Sequence, residues 1–290
     1  MAEYPVQMVG FAFHSHQLSC LHLTLLPKLE HMDTLSLSGK VAIITGSGRE
    51  TGIGAGIATA LARNGAWVVL NHVSDKTAPR AAKVAETLNQ TTAGKAVVVQ
   101  ADVSSPEGAQ TLVRVGLRLF GVDHVDILVN NAASGSVEPF LKASPSFMEG
   151  MFRTIVFGPV FMIQAVIPHM PRGGRIINTG SVASKVCPGP VPIYSGAKAA
   201  VDAMTFGMSM ELGRGYGVTI NTVMPGGVET DALPKEVHDK INGPLIAMTR
   251  AEERIGTAED IGDAVLLLCS EKSRWITGQV ISVSGGVTGG

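Results

Sequence analysis

KVAIITGSGRETGIGAG, residues 40–56, sets a run of branched apolar side chains against a segment with five glycines in twelve residues, Thr45–Gly56. Val41–Ile44 is short and uniformly apolar, as a strand buried on both faces is. Glycine admits backbone conformations closed to other residues and lets N–H groups approach a ligand closely. From Ile53 the spacing turns helical, and a helix starting there aims its positive end at an anion. Strand, glycine loop and helix in that order form a phosphate-binding unit; the same glycines alone would mean only a flexible turn. The spacing itself is ambiguous. Gly48-x-x-x-Gly52-x-Gly54 and Gly52-x-Gly54-x-Gly56 overlap, and Thr45-Gly46 opens earlier than either needs.

Outward from this loop the chain alternates. Strand-like runs at 40–44, 66–71, 96–103, 125–133, 174–184, 218–227 and 279–286 are separated by helix-like ones at 57–65, 76–90, 108–121, 146–169, 194–213 and 258–270. The 146–169 stretch is expected to break at Pro159 and Pro168. Repeated βαβ crossovers are right-handed, so the pattern predicts an α/β fold: a single-domain, Rossmann-type, doubly wound parallel sheet of about seven strands with helices on both faces. Ligands of such sheets lie beyond the carboxyl ends of the strands, where the strand order reverses. Thr45–Gly56, Ala132–Ser136, Ser181–Val186 and Pro225–Asp231 all follow strands and are expected to line that rim.

The bulk properties exclude several classes. The 290 residues are 45% hydrophobic and 16% charged with a formal net charge of -1, so no basic face for nucleic acid or anionic lipid is implied. Cys20, Cys187 and Cys269 are odd in number and far apart, which suggests neither a disulfide framework nor a metal site and fits a reducing, cytoplasmic compartment. Residues 1–31 hold no run near the roughly 18–20 apolar residues of a membrane span. They lack the early positive charge of a signal peptide. Residues 1–34 read as a poorly ordered extension or, up to residue 31, as sequence upstream of a natural start at Met32, and 35–290 as the catalytic domain.

Two further observations carry chemistry. Tyr194 and Lys198 stand four apart, hence on one helical face, and an ammonium beside a phenol is expected to lower its pKa from about 10. Ser181 follows the fifth strand and is expected on the same rim. At the end of the second strand, where a carboxylate would hold an adenosine ribose, the chain has Asn71-His72. Arg49, Ser74 and Lys76 suit a 2′-phosphate instead.

Thr45-Gly46 with Gly52-Ile53-Gly54, Asp102-Val103, Asn130-Asn131-Ala132, Ser181, Tyr194-x-x-x-Lys198, Pro225-Gly226 with Thr230, and Gly285-Gly286 together resemble the short-chain dehydrogenase/reductase family, from about residue 35 to the end. The resemblance implies that Tyr194 is the acid/base, that Lys198 binds the nicotinamide ribose and tunes the phenol, and that Ser181 holds the substrate oxygen. It implies NADP(H) contacts from Gly46, Gly48, Arg49, Gly52, Ile53 and Gly54 of the loop, from Asn71 and Ser74, from Asp102 and Val103 at the adenine, and from Asn131 and Ala132. Tyr194 and Lys198 reach the nicotinamide end with Pro225, Gly226, Val228 and Thr230. No metal is implied. A homodimer or homotetramer is, through helices such as 146–169 and 194–213.

Two departures stand out. Five residues, SGRET, separate Thr45-Gly46 from Gly52-Ile53-Gly54 where common members have three. This longer loop is similar to that of the divergent enoyl-acyl-carrier reductases. Those space Tyr and Lys more widely, and the corresponding position here is Val201, so carbonyl chemistry is expected. The family usually carries Asn at the position of Ile155, where it bends the helix and anchors a relay water; an isoleucine holds none. Leu233, Ile241, Leu245, Ile246 and Met248 are expected to form an apolar lid, with Val186–Val191 opposite. The expected activity is transfer of hydride between NADP(H) and the carbonyl or secondary alcohol of a small, largely apolar molecule. A polyketide-type intermediate of secondary metabolism, close to the substrates of 3-oxoacyl-carrier, hydroxynaphthalene and versicolorin reductases, fits. The alternative is a cofactor-binding protein without redox turnover, a scaffold, sensor or non-redox cyclase.

Overall fold

Seven short segments rich in branched side chains pair side by side in the computed structural model, which describes residues 35–186, 189, 191–231 and 235–289. They are β1 (Val41–Ile44), β2 (Trp67–His72), β3 (Ala96–Gln100), β4 (Ile127–Asn130), β5 (Arg175–Thr179), β6 (Thr219–Pro225) and β7 (Val280–Val283). All pairings are parallel, in the order β3-β2-β1-β4-β5-β6-β7. The order reverses between β1 and β4, so the crevice that takes ligands in such sheets opens between the loops that follow them. The extension at 1–34 lies outside the described residues.

The helices are α1 (Ile53–Arg63), α2 (Ala78–Thr91), α3 (Pro106–Phe120), α4 (Pro145–Phe152), α5 (Gly158–Val166), α6 (Pro192–Leu212), α7 (Lys235–Met248) and α8 (Ala258–Cys269). They cover both faces of the sheet. One core layer sets Ile44, Leu70 and Val129 against α1 and α8; the other sets Ile43, Val69 and Leu128 against α3 and α5. Successive strand residues point to opposite layers, as the pleat requires. The strands are shorter than the sequence suggests, because the ends of the apolar runs turn into the loops of the rim. Helix α7 falls within a segment that the sequence reading left without a helix.

Pro159 does not break the helical stretch. A five-residue π turn, Arg153–Phe157, joins α4 to α5, and Gly158 N–H reaches back to Arg153 O. Proline offers no N–H to the carbonyl four residues earlier and its ring crowds that carbonyl, so the helix widens just before it and continues. By length and composition Pro145–His169 would suffice to cross a membrane, yet Met151, Ile155, Met162 and Val166 are buried in the core.

Gly56 has a packing role. A Cβ there would lie 2.3 Å from Ala258 O and 2.7 Å from Ala258 Cβ, because α1 crosses α8 with the two backbones touching. A capping box between Thr257 and Asp260 fixes where α8 begins, and so fixes that crossing. Gly56→Ala is expected to cost about 1–3 kcal/mol through overpacking, read as a lowered Tm, while leaving dinucleotide binding in place; an unchanged Tm would contradict the close crossing.

Candidate active site

Thr45, at the end of β1, knots the cleft together. Its hydroxyl oxygen accepts the N–H groups of Asn131 (2.9 Å) and Ala132 (3.0 Å), and its carbonyl accepts Asn131 Nδ2 (2.9 Å). Gly46 follows with φ +63, and a Cβ on it would lie 2.8 Å from Ala132 Cα. Only glycine serves there, being left-handed and against another backbone at once. A Cβ on Gly54 would come within 2.7 Å of Asn131 Nδ2 and 2.8 Å of Ser47 Cα. Helix α1 starts at Gly52 with no side-chain cap and no acidic residue in its first turn. Its first N–H groups lack intrahelical acceptors, and they face the cleft. This is a cradle for a pyrophosphate.

The cleft measures about 630 Å³ and unites the four predicted loops. Gly46, Gly48, Arg49, Gly52, Ile53 and Gly54 line it from the first loop, Asp102 and Val103 from the third strand's end, Asn131 and Ala132 from the fourth. Ser181, Tyr194, Gly226, Val228 and Thr230 line the other side. Pro225 is buried at the end of β6, and Lys198 lies beneath the floor, 3% exposed. Neither is part of the lining. Asn71 lines the cleft, but its amide is spent on the scaffold: Oδ1 accepts Gly46 N–H at 3.1 Å and Nδ2 donates to Ala101 O at 3.0 Å. Ser74 is absent from the lining. Its carbonyl accepts His72 Nδ1–H at 3.0 Å and the Thr77 hydroxyl at 2.8 Å, so its turn folds back on itself. His72, Val73 and Thr77 line the cleft with Arg49.

The two additional loop residues also find a place. Arg80 of α2 binds Glu50 of the loop at 2.5 Å and Asp231, after β6, at 2.5 Å. The lengthened loop is thus strapped across the cleft to the segment that leads into α7. Asn242 and Leu245 of α7 are buried and line the cleft. Met248 is exposed; Leu233 and the Ile241 side chain lie outside the described residues, as do 187, 188 and 190 of the opposite wall. Gly227 and Asp231 line the cleft within the expected Pro225–Asp231 loop, whereas Asn242 went unremarked in sequence, since only the long-range packing of α7 reveals it.

The reactive trio meets at the cleft floor. Ser181 opens a short turn, Val182–Ser184, and its Oγ accepts Ala183 N–H at 3.1 Å. Burial raises the pKa of Tyr194, and its hydrogen bond with Ser181 draws it back. The expected lowering by the lysine is not found. Lys198 Nζ lies 5.8 Å from the Tyr194 ring centroid and donates to Thr179 O at 2.6 Å. Burial pulls its own pKa down from 10.5 to about 8, with Asp202 opposing. Lys198 therefore stays mostly protonated at pH 7 and loses its proton from about pH 8 upward. Beneath it runs a buried polar chain that joins four elements: Asn130 Nδ2 to Asn178 Oδ1 (2.9 Å), Asn178 Nδ2 to Thr205 Oγ1 (3.0 Å), and Thr205 to Thr222 (2.7 Å). Ile155, 2% exposed, packs with Ala197 and Val201 under Tyr194.

Residues 46–288 match the family model described as enoyl-(acyl carrier protein) reductase. The short-chain dehydrogenase/reductase FrzI of Cladobotryum sp is 36% identical over 259 residues, 87% of this chain and 97% of the relative. Versicolorin reductase 1 of Aspergillus parasiticus is 34% identical over 267 residues, 88% of this chain and 98% of that one. Among solved structures, a blue fluorescent protein from a metagenomic library, in complex with NADPH, superposes with a TM-score of 0.79 at 33% identity, covering 88% of this chain and 100% of that chain.

Because Lys198 has a lowered pKa in the fold, the folded state holds fewer protons than the unfolded one between pH 8 and 10.5. Stability contributed at this site therefore rises with pH in that window. Relative to Lys198→Met, the native chain is expected to gain on the order of 3 kcal/mol across it. Denaturant unfolding at pH 7.5, 9 and 10.5 checks this; a constant difference between the two proteins would refute it.

Proposed function

The chain belongs to the short-chain dehydrogenase/reductase family, and from that premise we propose that it is an NADP(H)-dependent oxidoreductase acting on the carbonyl or secondary alcohol of a small, largely apolar molecule. The observation that carries the reading is the convergence of Ser181, Tyr194 and Lys198 on one cleft floor beside the pyrophosphate cradle. Gly46, Gly52, Ile53 and Gly54 would hold the phosphates, Asp102 and Val103 the adenine, and Lys198 the nicotinamide ribose. When bound, the nicotinamide supplies or takes up the hydride at the carbonyl carbon. The chain does the rest. Ser181 donates to the carbonyl oxygen and polarises it; Tyr194 gives that oxygen its proton in reduction and takes it back in oxidation.

NADP(H) is favoured over NAD(H) by the missing carboxylate at the end of β2 and by Arg49, which is exposed beside His72 and Thr77. Carbonyl chemistry is favoured over C=C reduction because the cation stands at Lys198, whereas Val201 is 3% exposed in an apolar cluster. The wall formed by Val137, Val191 and Leu245 suits a flat, mostly apolar ketone, and the likeness to a versicolorin reductase supports a polyketide-type intermediate of secondary metabolism. Exposed Phe157, Phe206 and Met210 on adjoining helical elements support a homodimer or homotetramer. The proposal includes a cytoplasmic location; the Cys269 thiol is free, buried and pushed up to about 12, hence unreactive.

Two measurements test the reading. NADPH oxidation is followed with a panel of aromatic ketones; Tyr194→Phe is expected to lower kcat by roughly 10²–10⁴-fold while leaving NADPH affinity near that of the native protein. Tight NADPH binding without oxidation anywhere on the panel would favour the non-redox alternative. Arg49→Ala is expected to weaken NADPH binding about tenfold, the loss of one charge-assisted contact, and to leave NADH binding unchanged. Equal losses for both nucleotides would remove the 2′-phosphate assignment.

A further inference from the structure

Helix α6 carries Tyr194, Lys198 and Asp202 at intervals of four, on one face. The stretch Thr179-Gly180-Ser181 runs along that face and meets each of them. Thr179 O takes the Lys198 ammonium. A Cβ on Gly180 would lie 2.9 Å from Asp202 Oδ1, so the carboxylate rests against the bare backbone there. Asp202 Oδ2 accepts the Ser184 hydroxyl at 2.6 Å, while Oδ1 is buried with no hydrogen-bond partner. Ser184 closes the turn that starts at Ser181, its N–H bonded to Ser181 O at 3.0 Å.

Asp202 is half-buried, and a carboxylate whose one oxygen is shut from water without a partner is costly unless a cation compensates it. Holding Ser184 alone would need only a neutral acceptor. Of the charged groups around it, Lys185 acts on Asp202 from the end of the turn and Lys198 from its own helix. Strand β6 presents Thr222 beside Gly180 and Met224 beside Ser184, neither of them charged. Among the described residues, the carboxylate acting on Lys198 is that of Asp202.

We propose that Asp202 is the positioning residue of this site: its carboxylate is the counter-ion that keeps the Lys198 ammonium protonated, and through Ser184 it fixes the turn that presents Ser181. The consequence for catalysis rests on the oxidoreductase reading above; the charge interaction between Asp202 and Lys198 does not. With the acid gone, Lys198 would lose its proton at lower pH, and the phenol would lose its neighbouring cation there too.

The test is a titration by NMR of protein labelled at lysine Cε and aspartate Cγ, with Lys198→Arg identifying the lysine signal. In the native protein Asp202 is expected to be a carboxylate at pH 7. In Asp202→Asn, which keeps an acceptor for Ser184, Lys198 is expected to titrate lower by roughly one pH unit or more, and Asp202→Glu is expected to restore it. The alkaline limb of kcat for a turned-over ketone should move down by the same amount. A neutral Asp202 at pH 7 in the native protein, or a Lys198 titration within about 0.3 unit of native in Asp202→Asn, would overturn the proposal. The native measurement decides even if that variant fails to fold. A purely structural role would lower Tm and leave both the titration and the pH limb in place. Absence of any ketone turnover would count against the oxidoreductase reading and leave the NMR result to judge the charge interaction.

Discussion

A lysine ammonium held out of water, 3% exposed and bonded to Thr179 O at 2.6 Å, is the constraint around which the site is arranged. Desolvation disfavours the charged form, and here it brings the pKa to about 8. Such a group persists only where the surroundings return part of what burial removes. The carbonyl at the end of β5 supplies a fixed dipole and Asp202 an opposite charge. Both depend on the pairing of β4, β5 and β6, which the chain Asn130–Asn178–Thr205–Thr222 ties together in the interior.

The same logic governs the cofactor side of the cleft. The amides of Asn71 and Asn131 are used to hold the loop, so that Gly46 and Gly54 are locked against Ala132 and Asn131. A loop clamped in this way meets an anion with its N–H groups already placed, and little ordering entropy remains to be lost on binding. Five glycines therefore divide by task. Gly46 and Gly54 shape the cradle and Gly52 opens the helix. Gly48 lies over α2, where a Cβ would meet His72 Cβ at 3.0 Å and Ala81 Cβ at 3.1 Å. Gly56 serves the crossing of α1 and α8.

That division explains what the sequence could and could not disclose. Periodicity revealed the seven strands, and the i, i+4 relation revealed Tyr194 and Lys198 as neighbours, because both are local regularities. The position of loops after strands placed the rim, since parallel sheets converge their carboxyl ends. Contacts between distant segments leave no such trace. Arg80 meets Glu50 and Asp231 across separations of 30 and 151 residues, and nothing in the spacing marks it. Asn242 joins the cleft through the packing of α7, and Thr77 through the turn after β2. Ser74 looked available as a ligand only while the fold of its own turn was unknown.

Ile155 shows how a function assigned to one residue can divide between two physical causes. In the family that the chain resembles, an asparagine there both bends the helix and anchors a water. The bend survives here. It arises as the π turn Arg153–Phe157, placed directly before Pro159, whose ring and missing N–H force the carbonyls of that turn apart. The widened turn brings Thr154 to the cleft surface and turns Ile155 inward to Ala197 and Val201, at the foot of the helix that bears Tyr194. The substitution thus exchanges a polar anchor for apolar packing that fixes the position of α6. With no amide at that position, control of the charge near Tyr194 falls to groups on α6 itself, which is where Lys198 and Asp202 stand.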